Sequence, residues 1–401
     1  MNTLTPLSPT YWSKAMQTKL YKVNIFRNIA SFREEATLTD GQEVDRPYRT
    51  AVTTEKISRG TALNAQDLTS TSDKLTVDKW YGGLFYVDRI DKIQNKYDAA
   101  RAYSQDIAEA LNNDIDSECL FNGTEGSGIT TTVDYNDVDS GQTAGLALVA
   151  TATNVYKAFT IAGRKLTKNN VPMGDRVAVI SPEAHQLLVE YFGGKESNLG
   201  DKTSEAGSVG RAFGFEIYVS NNLTGSARWT PANQPSDGDT VTIAGITFPF
   251  ETGALDAAGK IKSETDLATT LTNLATFINT GGVATTADGY VLSAADQRIC
   301  KNLYAVATAT YVTVYHKGTA NISVSASEVN DPWSHKKQHC YFGARRSTDL
   351  VIQLRPDVEM ASTVSAGKPG MNVLVSALFG VDTPYEMQSR LVDVQLDSSN
   401  Y

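Results

Sequence analysis

Cysteine and long apolar runs are scarce in this chain of 401 residues. The three cysteines, Cys119, Cys300 and Cys340, are odd in number and far apart, which argues against a disulfide framework. They are typical of reduced thiols in a protein made in a cytosol. No apolar run approaches the ~18 residues of a membrane span, so no membrane partner is expected. The N-terminus lacks a basic start followed by an apolar core, so no secretory signal is expected.

Excess positive charge is also missing. The net charge of -9 disfavours wholesale coating of nucleic acid by this chain, although it leaves room for one locally basic face. Arg164, Lys165 and Lys168 lie together at one predicted helix end, where a solvated face explains them equally well. The hydrophobic content of 41% is typical of a globular protein. A chain of this length ordinarily folds as two or three domains.

Groups that could support catalysis are few, with four histidines in the whole chain. His335 and His339 have a spacing that superficially resembles metal ligands, but no second cluster accompanies them. His185 is interpreted as an ordinary core or surface residue of a helix. The sequence contains no Gly-x-Ser-x-Gly nucleophile motif and no phosphate-binding loop. It leaves undecided whether a Ser-His-Asp or Cys-His group comes together in the fold. We therefore predict no enzyme activity, no cofactor and no metal site.

What the chain does contain is a long polar segment followed directly by a long predicted helix. Between residues 45 and 80, 11 of 36 residues are charged and 11 are hydrophobic. Runs that favour β-structure at 48–54 and 74–77 flank a turn-like stretch at 58–65. Such a ribbon would reach about 50 Å at about 3.3 Å per residue, and it cannot stabilise itself in water. Because nothing nearby in the sequence covers it, we expect it to lie on another copy of the protein.

Regular elements are predicted on both sides of residue 150. Gly82 and Gly83 are interpreted as a break before a short buried strand at 84–87. No glycine or proline occurs between residues 93 and 122, where helical apolar spacing predicts a helix of about 45 Å that ends at Asn122-Gly123. A helix at 154–166, a buried strand at 177–180, a second helix capped by Ser181 and a strand at 213–219 follow.

The composition changes after residue 221. Linker-like stretches at 230–238 and 328–332 enclose a predicted hairpin, a helix capped by Ser263 and further alternating strands at 311–315 and 322–324. Pro249 should confine its strand to a sheet edge or bulge. About 100 residues can hold one small core, so this segment is interpreted as an inserted α+β domain. The chain then returns to strands at 350–354, 371–379 and 391–396.

The order of these parts resembles the major capsid proteins of tailed double-stranded-DNA bacteriophages, which share the Hong Kong 97-type fold. Local phrases are similar too: the Thr3-Leu4-Thr5-Pro6 arm with Trp12, the stretch at 81–92 and the turn, strand and helix start at 172–182. The resemblance covers roughly residues 1–225 and 335–396. It implies an α+β fold with an N-terminal arm, an extended β-hairpin loop, a spine helix, and peripheral and axial domains.

The resemblance also implies a division of the chain. The expected parts are an arm at 1–43, an extended loop at 44–81, the spine helix and first peripheral part at 82–153, an axial domain at 154–225, the inserted α+β domain at 226–334, a return to the axial domain at 335–356, and peripheral strands and C-terminus at 357–401.

The implied function is a major capsid protein that self-assembles into the icosahedral shell around a packaged genome. Expected partners are other copies in pentamers and hexamers, a separate scaffolding protein, a portal protein, optionally a decoration protein, and packaged DNA contacted weakly and without specificity. The expected location is the virion, after synthesis in the bacterial host cytoplasm. Contacts between subunits are expected at Trp12, Arg49, Lys56, Arg59, Asp67, Lys74 and Trp80.

Two other interpretations stay open. An encapsulin-like cellular nanocompartment would keep the fold and enclose a cargo enzyme instead of a genome. A tail or surface adhesin would use the inserted domain as its binding module, but the chain lacks repeats and contains a spine-like helix.

Overall fold

The computed structural model describes residues 20–49, 51–57, 59, 66–90, 99–195, 209–252, 260–283, 291–327, 333–363 and 369–398. The helices in these ranges are α1 (Phe26–Ile29), α2 (Ala99–Phe121), α3 (Tyr135–Val138), α4 (Ala152–Lys168), α5 (Pro182–Gly193), α6 (Leu267–Asn279), α7 (Ala294–Cys300) and α8 (Tyr385–Gln388). The strands in these ranges are β1 (Ala30–Ser31), β2 (Glu43–Arg49), β3 (Ser70–Thr76), β4 (Lys79–Asp88), β5 (Thr132–Val133), β6 (Arg176–Ile180), β7 (Arg211–Ala212), β8 (Phe215–Val219), β9 (Thr224–Trp229), β10 (Thr240–Ile243), β11 (Ile246–Thr252), β12 (Ile261–Ser263), β13 (Leu303–Ala307), β14 (Val312–His316), β15 (Val324–Ala326), β16 (Trp333–Ala344), β17 (Thr348–Ser362), β18 (Gly370–Asp382) and β19 (Leu391–Asp397).

A four-stranded sheet in the order β1-β17-β18-β4 carries the longest strands. α2 lies across one face of this sheet, where Leu111 packs against Val375 and Ala377. Because no glycine or proline interrupts it, α2 continues for 23 residues. The predicted long helix is confirmed from residue 99 onward, and residues 93–98 lie outside the described ranges.

A nine-stranded sheet runs in the order β13-β14-β9-β16-β6-β8-β7, with β19 paired to β16 and β5 paired to β19. All five residues of β6 are buried, which is typical of a strand covered on both faces. α4 and α5 belong to the same core as this sheet. Thr151 and Ser181 cap these helices by accepting hydrogen bonds from the backbone N–H of Asn154 and Ala184. The predicted helix, strand and helix between residues 154 and 190 are therefore confirmed.

A second hydrophobic core lies in the segment between β9 and β16 and includes Phe248, Leu271 and Leu274. It is built around α6 and a four-stranded sheet in the order β12-β11-β10-β15, which contains the predicted hairpin. However, β14 pairs with β9 and thereby joins the nine-stranded sheet. The segment thus has its own core but shares a sheet with the rest of the chain, and the division into domains stays a prediction.

Asp266, not Ser263, caps α6. Its Oδ2 accepts a hydrogen bond of 3.2 Å from the backbone N–H of Thr269. Ser263 instead lies in β12, where it pairs with Thr252 of β11, and its hydroxyl donates a hydrogen bond of 2.7 Å to the carbonyl of Pro235. The prediction of Ser263 as the cap was wrong because the N-cap immediately precedes the first helical residue, which is Leu267.

Candidate functional site: an exposed ribbon and an uncovered sheet face

The ribbon predicted from the polar segment exists, and its base is covered by its own subunit. β2 pairs antiparallel with β3, from Glu43 opposite Thr76 to Arg49 opposite Ser70. At the base, Leu75 and Val77 are buried and pack in a small cluster with Leu38 and Val351. The expectation that nothing in the same chain covers the ribbon was therefore wrong for the base. Of the covering residues, Leu38 lies just before the ribbon in sequence, whereas Val351 is too distant to be recognised from the ribbon itself.

Arg46 holds the ribbon base in place through three carboxylates. Its guanidinium contacts Asp73 at 2.7 Å and Asp349 at 3.1 Å, and it also pairs with Asp382. Burial raises the pKa of Asp382, and the adjacent Arg46 opposes that rise. The side chains of Arg46 and Asp349 are 9% and 2% exposed, whereas those of Asp73 and Asp382 are 26% and 34% exposed, so the cluster is removed from water on one side only. Asp349 also pairs with Arg33 at 2.8 Å. The direction in which the ribbon leaves the subunit is fixed by these buried contacts.

The open end of the ribbon has a different character. The described residues at 51–57 and 66–69 are all exposed. Ladder pairing stops at Arg49, so the strand predicted at 48–54 is wrong beyond that residue. The Gln66 side chain bridges the two arms instead, accepting from the backbone N–H of Thr53 at 3.2 Å and donating to its carbonyl at 2.8 Å.

Three large apolar side chains are exposed at this open end. Val52, Ile57 and Leu68 are 63%, 67% and 79% exposed. Large apolar side chains exposed on a projecting element are candidates for contact with another protein. We call these three residues the ribbon patch.

The predicted contact residues are spread along the ribbon and beyond it. Arg49, Lys56, Arg59 and Asp67 are exposed on the ribbon. Lys74 forms ion pairs within the ribbon, with Glu43 at 2.9 Å and Asp45 at 3.8 Å. Trp12 lies outside the described residues. Their role in subunit contacts stays a prediction.

Trp80, the last predicted contact residue, belongs to a face of the four-stranded sheet that the ribbon base covers near Leu378 and that the described chain leaves exposed along β4. Along β4, Trp80, Leu84 and Tyr86 point away from α2 and are 72%, 63% and 42% exposed. Trp80 and Leu84 face the same side as their β18 partners, Leu378 and Leu374 respectively. We call Trp80, Leu84 and Tyr86 the sheet-face patch.

Two expectations for this strand were wrong. Residues 84–87 are not a fully buried strand, because alternate side chains face solvent. Gly82 and Gly83 do not break the chain but lie inside β4. A Cβ at Gly83 would stand 2.9 Å from Ile107 of α2, so glycine here permits close packing of helix on strand. The sequence gives no alternation that could have revealed this face, because the intervening residues Tyr81, Phe85 and Val87 are also large and apolar.

A Ser-His-Asp arrangement, which the sequence left open, is present in the interior. His339 contacts Ser226 Oγ at 2.8 Å through Nε2 and Asp393 Oδ2 at 2.7 Å through Nδ1. The same Asp393 oxygen accepts from the backbone N–H of Glu125 at 2.9 Å. Ser226, His339 and Asp393 are at most 2% exposed, so an external substrate cannot reach the serine in this conformation. The arrangement ties β9, β16 and β19 together.

The other titratable side chains that were considered for catalysis are also packed into the fold. His185 accepts a hydrogen bond from the backbone N–H of Val209, and burial lowers the pKa of His185. Burial lowers the pKa of His316 to about 4 and raises the pKa of Cys340 to about 12. No cluster of three or more histidine, cysteine or acidic residues suited to a metal ion occurs among the described residues. In the same part of the chain, no helix is both long and apolar enough to cross a membrane.

Comparison with known proteins gives this architecture its family context. A family model described as phage capsid protein matches residues 71–261. The chain superposes on a chain of Mycobacterium phage Che8 with a TM-score of 0.54 at 15% identity, covering 96% of each. It superposes on a capsid chain of the cyanophage P-SCSP1u with a TM-score of 0.55 at 14% identity, covering 98% of this chain and 94% of that one.

The fold is that of tailed-phage capsid proteins. The predicted resemblance and the predicted α+β, Hong Kong 97-type class are both confirmed by these matches. Among curated proteins, the major capsid protein of Escherichia phage T7 is 25% identical over 179 residues, which cover 41% of this chain. The match spans about half, 51%, of that protein. The matched part of the capsid fold includes β3, β4 and α2, which carry the sheet-face patch and the helix behind it.

Proposed function

We propose that this chain is a major capsid protein, and that copies of it form the icosahedral shell around the double-stranded DNA genome of a tailed phage. The observation that carries the proposal is the ribbon. Buried ion pairs anchor its base, whereas its open end exposes three large apolar side chains. A projection that is anchored at its base and apolar at its end is suited to contact a neighbouring subunit. The capsid fold and the resemblance to the phage T7 protein support the same conclusion.

Assembly would be driven by many modest contacts repeated with symmetry. A contact in which the ribbon patch of one copy meets the sheet-face patch of the next would be heterologous, and such contacts close into rings when the rotation permits. Rings of five and six copies are the units we propose. No catalytic step is needed for this role, because closure of the shell makes weak individual contacts sufficient.

Further partners follow from the same proposal. A separate scaffolding protein would set the curvature, a portal protein would occupy one vertex, and a decoration protein is an optional addition to the outside. Packaged DNA would be contacted weakly and without sequence specificity, in keeping with the net charge of -9. The protein would be made in the bacterial cytoplasm and reside in the virion. The likeness to phage capsid proteins favours this role over a nanocompartment or an adhesin.

The test is electron microscopy of the chain expressed with its scaffolding protein. Closed shells are expected for the wild type. A variant shortened between Arg59 and Asp67 should stay folded and monomeric, because the buried base of the ribbon is untouched. Stable wild-type monomers under all conditions would refute the proposal, and so would normal shells from the shortened variant.

A substitution series separates the apolar contact from loop length. The variant Val52→Ser/Ile57→Ser/Leu68→Ser removes the ribbon patch and should lower shell yield at least tenfold. Val283→Ser/Val291→Ser/Val306→Ser is the matched control, since these valines are similarly apolar and 39% to 46% exposed elsewhere. Equal losses in the two variants would show that general exposed hydrophobicity, not the ribbon, drives assembly.

A further inference from the structure

One helix of this acidic chain carries positive charge alone. α4 contains four basic residues and no aspartate or glutamate. Lys157, Arg164 and Lys168 are exposed on it. At 3.6 residues per turn, their spacings of seven and four residues place them within about 40° of one another. The line they form is roughly 16 Å long at 1.5 Å per residue.

Local structure accounts for only part of this charge. Lys165, the fourth basic residue, pairs with Asp137 at 2.6 Å. Lys168 lies in the last turn, where the helix dipole favours a cation. Lys157 and Arg164 lie farther from that end, so the dipole does not explain them. Within the described residues, the side chains of Lys157, Arg164 and Lys168 form no ion pair and donate no hydrogen bond.

A groove beside the same helix adds a further cation. It is an open depression of about 720 Å³ lined by Gly163, Arg164, Lys168 and Met173, with Arg176 among its walls. The guanidinium of Arg176 is buried and donates to the carbonyls of Pro172, Gly163 and Val171 and to the hydroxyl of Thr167. None of these acceptors is a carboxylate, so the positive charge of Arg176 is held in place without neutralisation.

We propose that the exposed face of α4, with Lys157, Arg164 and Lys168, binds the phosphate backbone of double-stranded DNA. The inference rests on the proposed function and names the surface of the subunit that meets the genome. A line of cations without an intervening carboxylate fits a polyanion whose charges recur about every 3.4 Å along each strand. The rest of this acidic chain repels DNA, so the face orients the subunit as well as attracting the polymer.

Contact along this line of cations is expected to involve phosphates, because the one side-chain amide of α4 is already occupied. Asn154, an amide on α4 that could recognise a base, donates its side-chain N–H to the carbonyl of Val149. Phosphate contacts position a protein without carrying sequence information. Binding should therefore be weak, independent of sequence and strongly dependent on salt.

The test measures binding of unassembled full-length chain to a short fluorescein-labelled DNA duplex by anisotropy, between about 50 mM and about 200 mM salt. The variant Lys157→Gln/Arg164→Gln/Lys168→Gln should bind at least tenfold more weakly at the lowest salt. The slope of log affinity against log salt should shrink by about 2 to 3, since each lost phosphate contact removes about 0.9.

The control variant Arg27→Gln/Arg298→Gln/Arg355→Gln removes the same charge from exposed positions away from α4. It should change affinity less than twofold. Circular dichroism verifies folding, and the single variants Lys157→Gln and Lys168→Gln provide the comparison if the triple variant is misfolded. Loss of binding confined to the α4 variants supports the proposal.

Three results would overturn it: wild-type affinity in the α4 variant, equal losses in both triple variants, or no binding by the wild type at low salt. Impaired shell assembly with unchanged DNA binding would also overturn it, because the face would then be a protein contact. Normal shells from a chain that does not bind DNA would refute this inference alone. Failure of the wild type to assemble would refute the proposed function.

Discussion

Arg46 shows at the scale of one residue how the ribbon is held. It is separated from its partners Asp349 and Asp382 by more than 300 residues, and its side chain is 9% exposed. A planar guanidinium can serve several carboxylates at once, whereas a lysine ammonium presents a single point charge. The residue fixes the ribbon base although nothing around it in sequence distinguishes it from the other charged residues of the polar segment.

Replacing Arg46 with alanine should lower the free energy of unfolding by about 2 kcal/mol, because the half-buried Asp73 and Asp382 lose their cation while Asp349 keeps its ion pair with Arg33. Arg46→Lys should recover part of that loss. Lys74→Ala is the control, since its ion pair with Glu43 is exposed and worth under about 1 kcal/mol. Urea unfolding followed by tryptophan fluorescence gives the three values. Equal effects of Arg46→Ala and Lys74→Ala would contradict the role assigned to the cluster.

Asp116 of α2 is a second buried charge with a measurable signature. Its carboxylate accepts from the backbone N–H groups of Ile25 and Phe26 at 2.8 and 2.7 Å and from Asn222 Nδ2 at 2.8 Å. Burial nevertheless raises the pKa of Asp116 above its ordinary value, since the hydrogen bonds only partly offset desolvation. The folded state therefore binds this proton more tightly than the unfolded state does.

Stability due to Asp116 should consequently rise as the pH falls through its folded pKa, opposite to the usual behaviour of a salt-bridged carboxylate. Asp116→Asn cannot titrate. The wild type should gain stability relative to this variant as the pH is lowered from about 7 to about 4. Urea midpoints of the two proteins across that range test the sign. The raised pKa of Asp116 would be ruled out if the wild type kept a constant urea midpoint relative to Asp116→Asn, or lost stability relative to it, as the pH is lowered.

At the scale of elements, α4, β6 and α5 could be predicted because their signals are local. Helical spacing, a continuous apolar run and a cap at Ser181 all lie within a few residues of the element that they define. The pairing of β2 with β3 ends at Arg49, and the sequence of these strands alone does not predict that end. The uncovered face at Trp80 depends on where α2 packs, which is a tertiary property.

Gly123 illustrates the limit of local interpretation. The dipeptide at the end of α2 was interpreted as a helix stop, and the helix does end at Phe121. Yet the closest constraint on this glycine comes from β16, because a Cβ there would lie 2.1 Å from the ring of Tyr341. The residue therefore joins the spine helix to the nine-stranded sheet by close approach.

Gly123→Ala should therefore destabilise the protein by about 3 kcal/mol, since the buried ring of Tyr341 has little room to move. Gly174→Ala is the matched control, with no heavy atom within 4 Å of its added Cβ, and should stay within about 0.5 kcal/mol of wild type. Combining Gly123→Ala with Tyr341→Leu should cost less than the two single changes added together. Thermal unfolding compares the wild type, Gly123→Ala, Tyr341→Leu and the double variant. Strictly additive losses of stability would contradict a clash between the added methyl group and the Tyr341 ring.

At the scale of the whole molecule, two hydrophobic cores meet across a polar layer. The larger core lies around α4, α5 and β6, and the smaller lies between β9 and β16. Ser226, His339 and Asp393 occupy the strands near their junction, together with Lys337, which contacts Gln395 at 2.8 Å. Hydrogen bonds here specify strand alignment, whereas each core supplies its own apolar burial. Such an arrangement favours two regions that fold with partial independence.

The segment between the two strands can be replaced by a short turn, which leaves β9 as an edge strand because β14 is removed. Trp229 and Trp333 are directly paired across β9 and β16, so their Cα atoms are about 5 Å apart and an Asn-Gly turn can join them. Residues 230–332 would be replaced by that turn. Trp229→Thr and Trp333→Thr are included because both rings pack against the removed core.

This shortened chain should stay soluble and unfold cooperatively, with a lower free energy of unfolding than the full chain. Removal of Lys301 and Lys317 deprives Asp114 and Glu118 of ion pairs at 2.6 and 2.8 Å. Adding Asp114→Asn and Glu118→Gln should recover under about 1 kcal/mol, because removal of the covering segment also exposes both carboxylates to water and so lowers the cost of their unpaired charge. Circular dichroism and urea unfolding compare the two shortened chains with the full one. The absence of cooperative unfolding in both shortened chains would contradict the partial independence of the two cores.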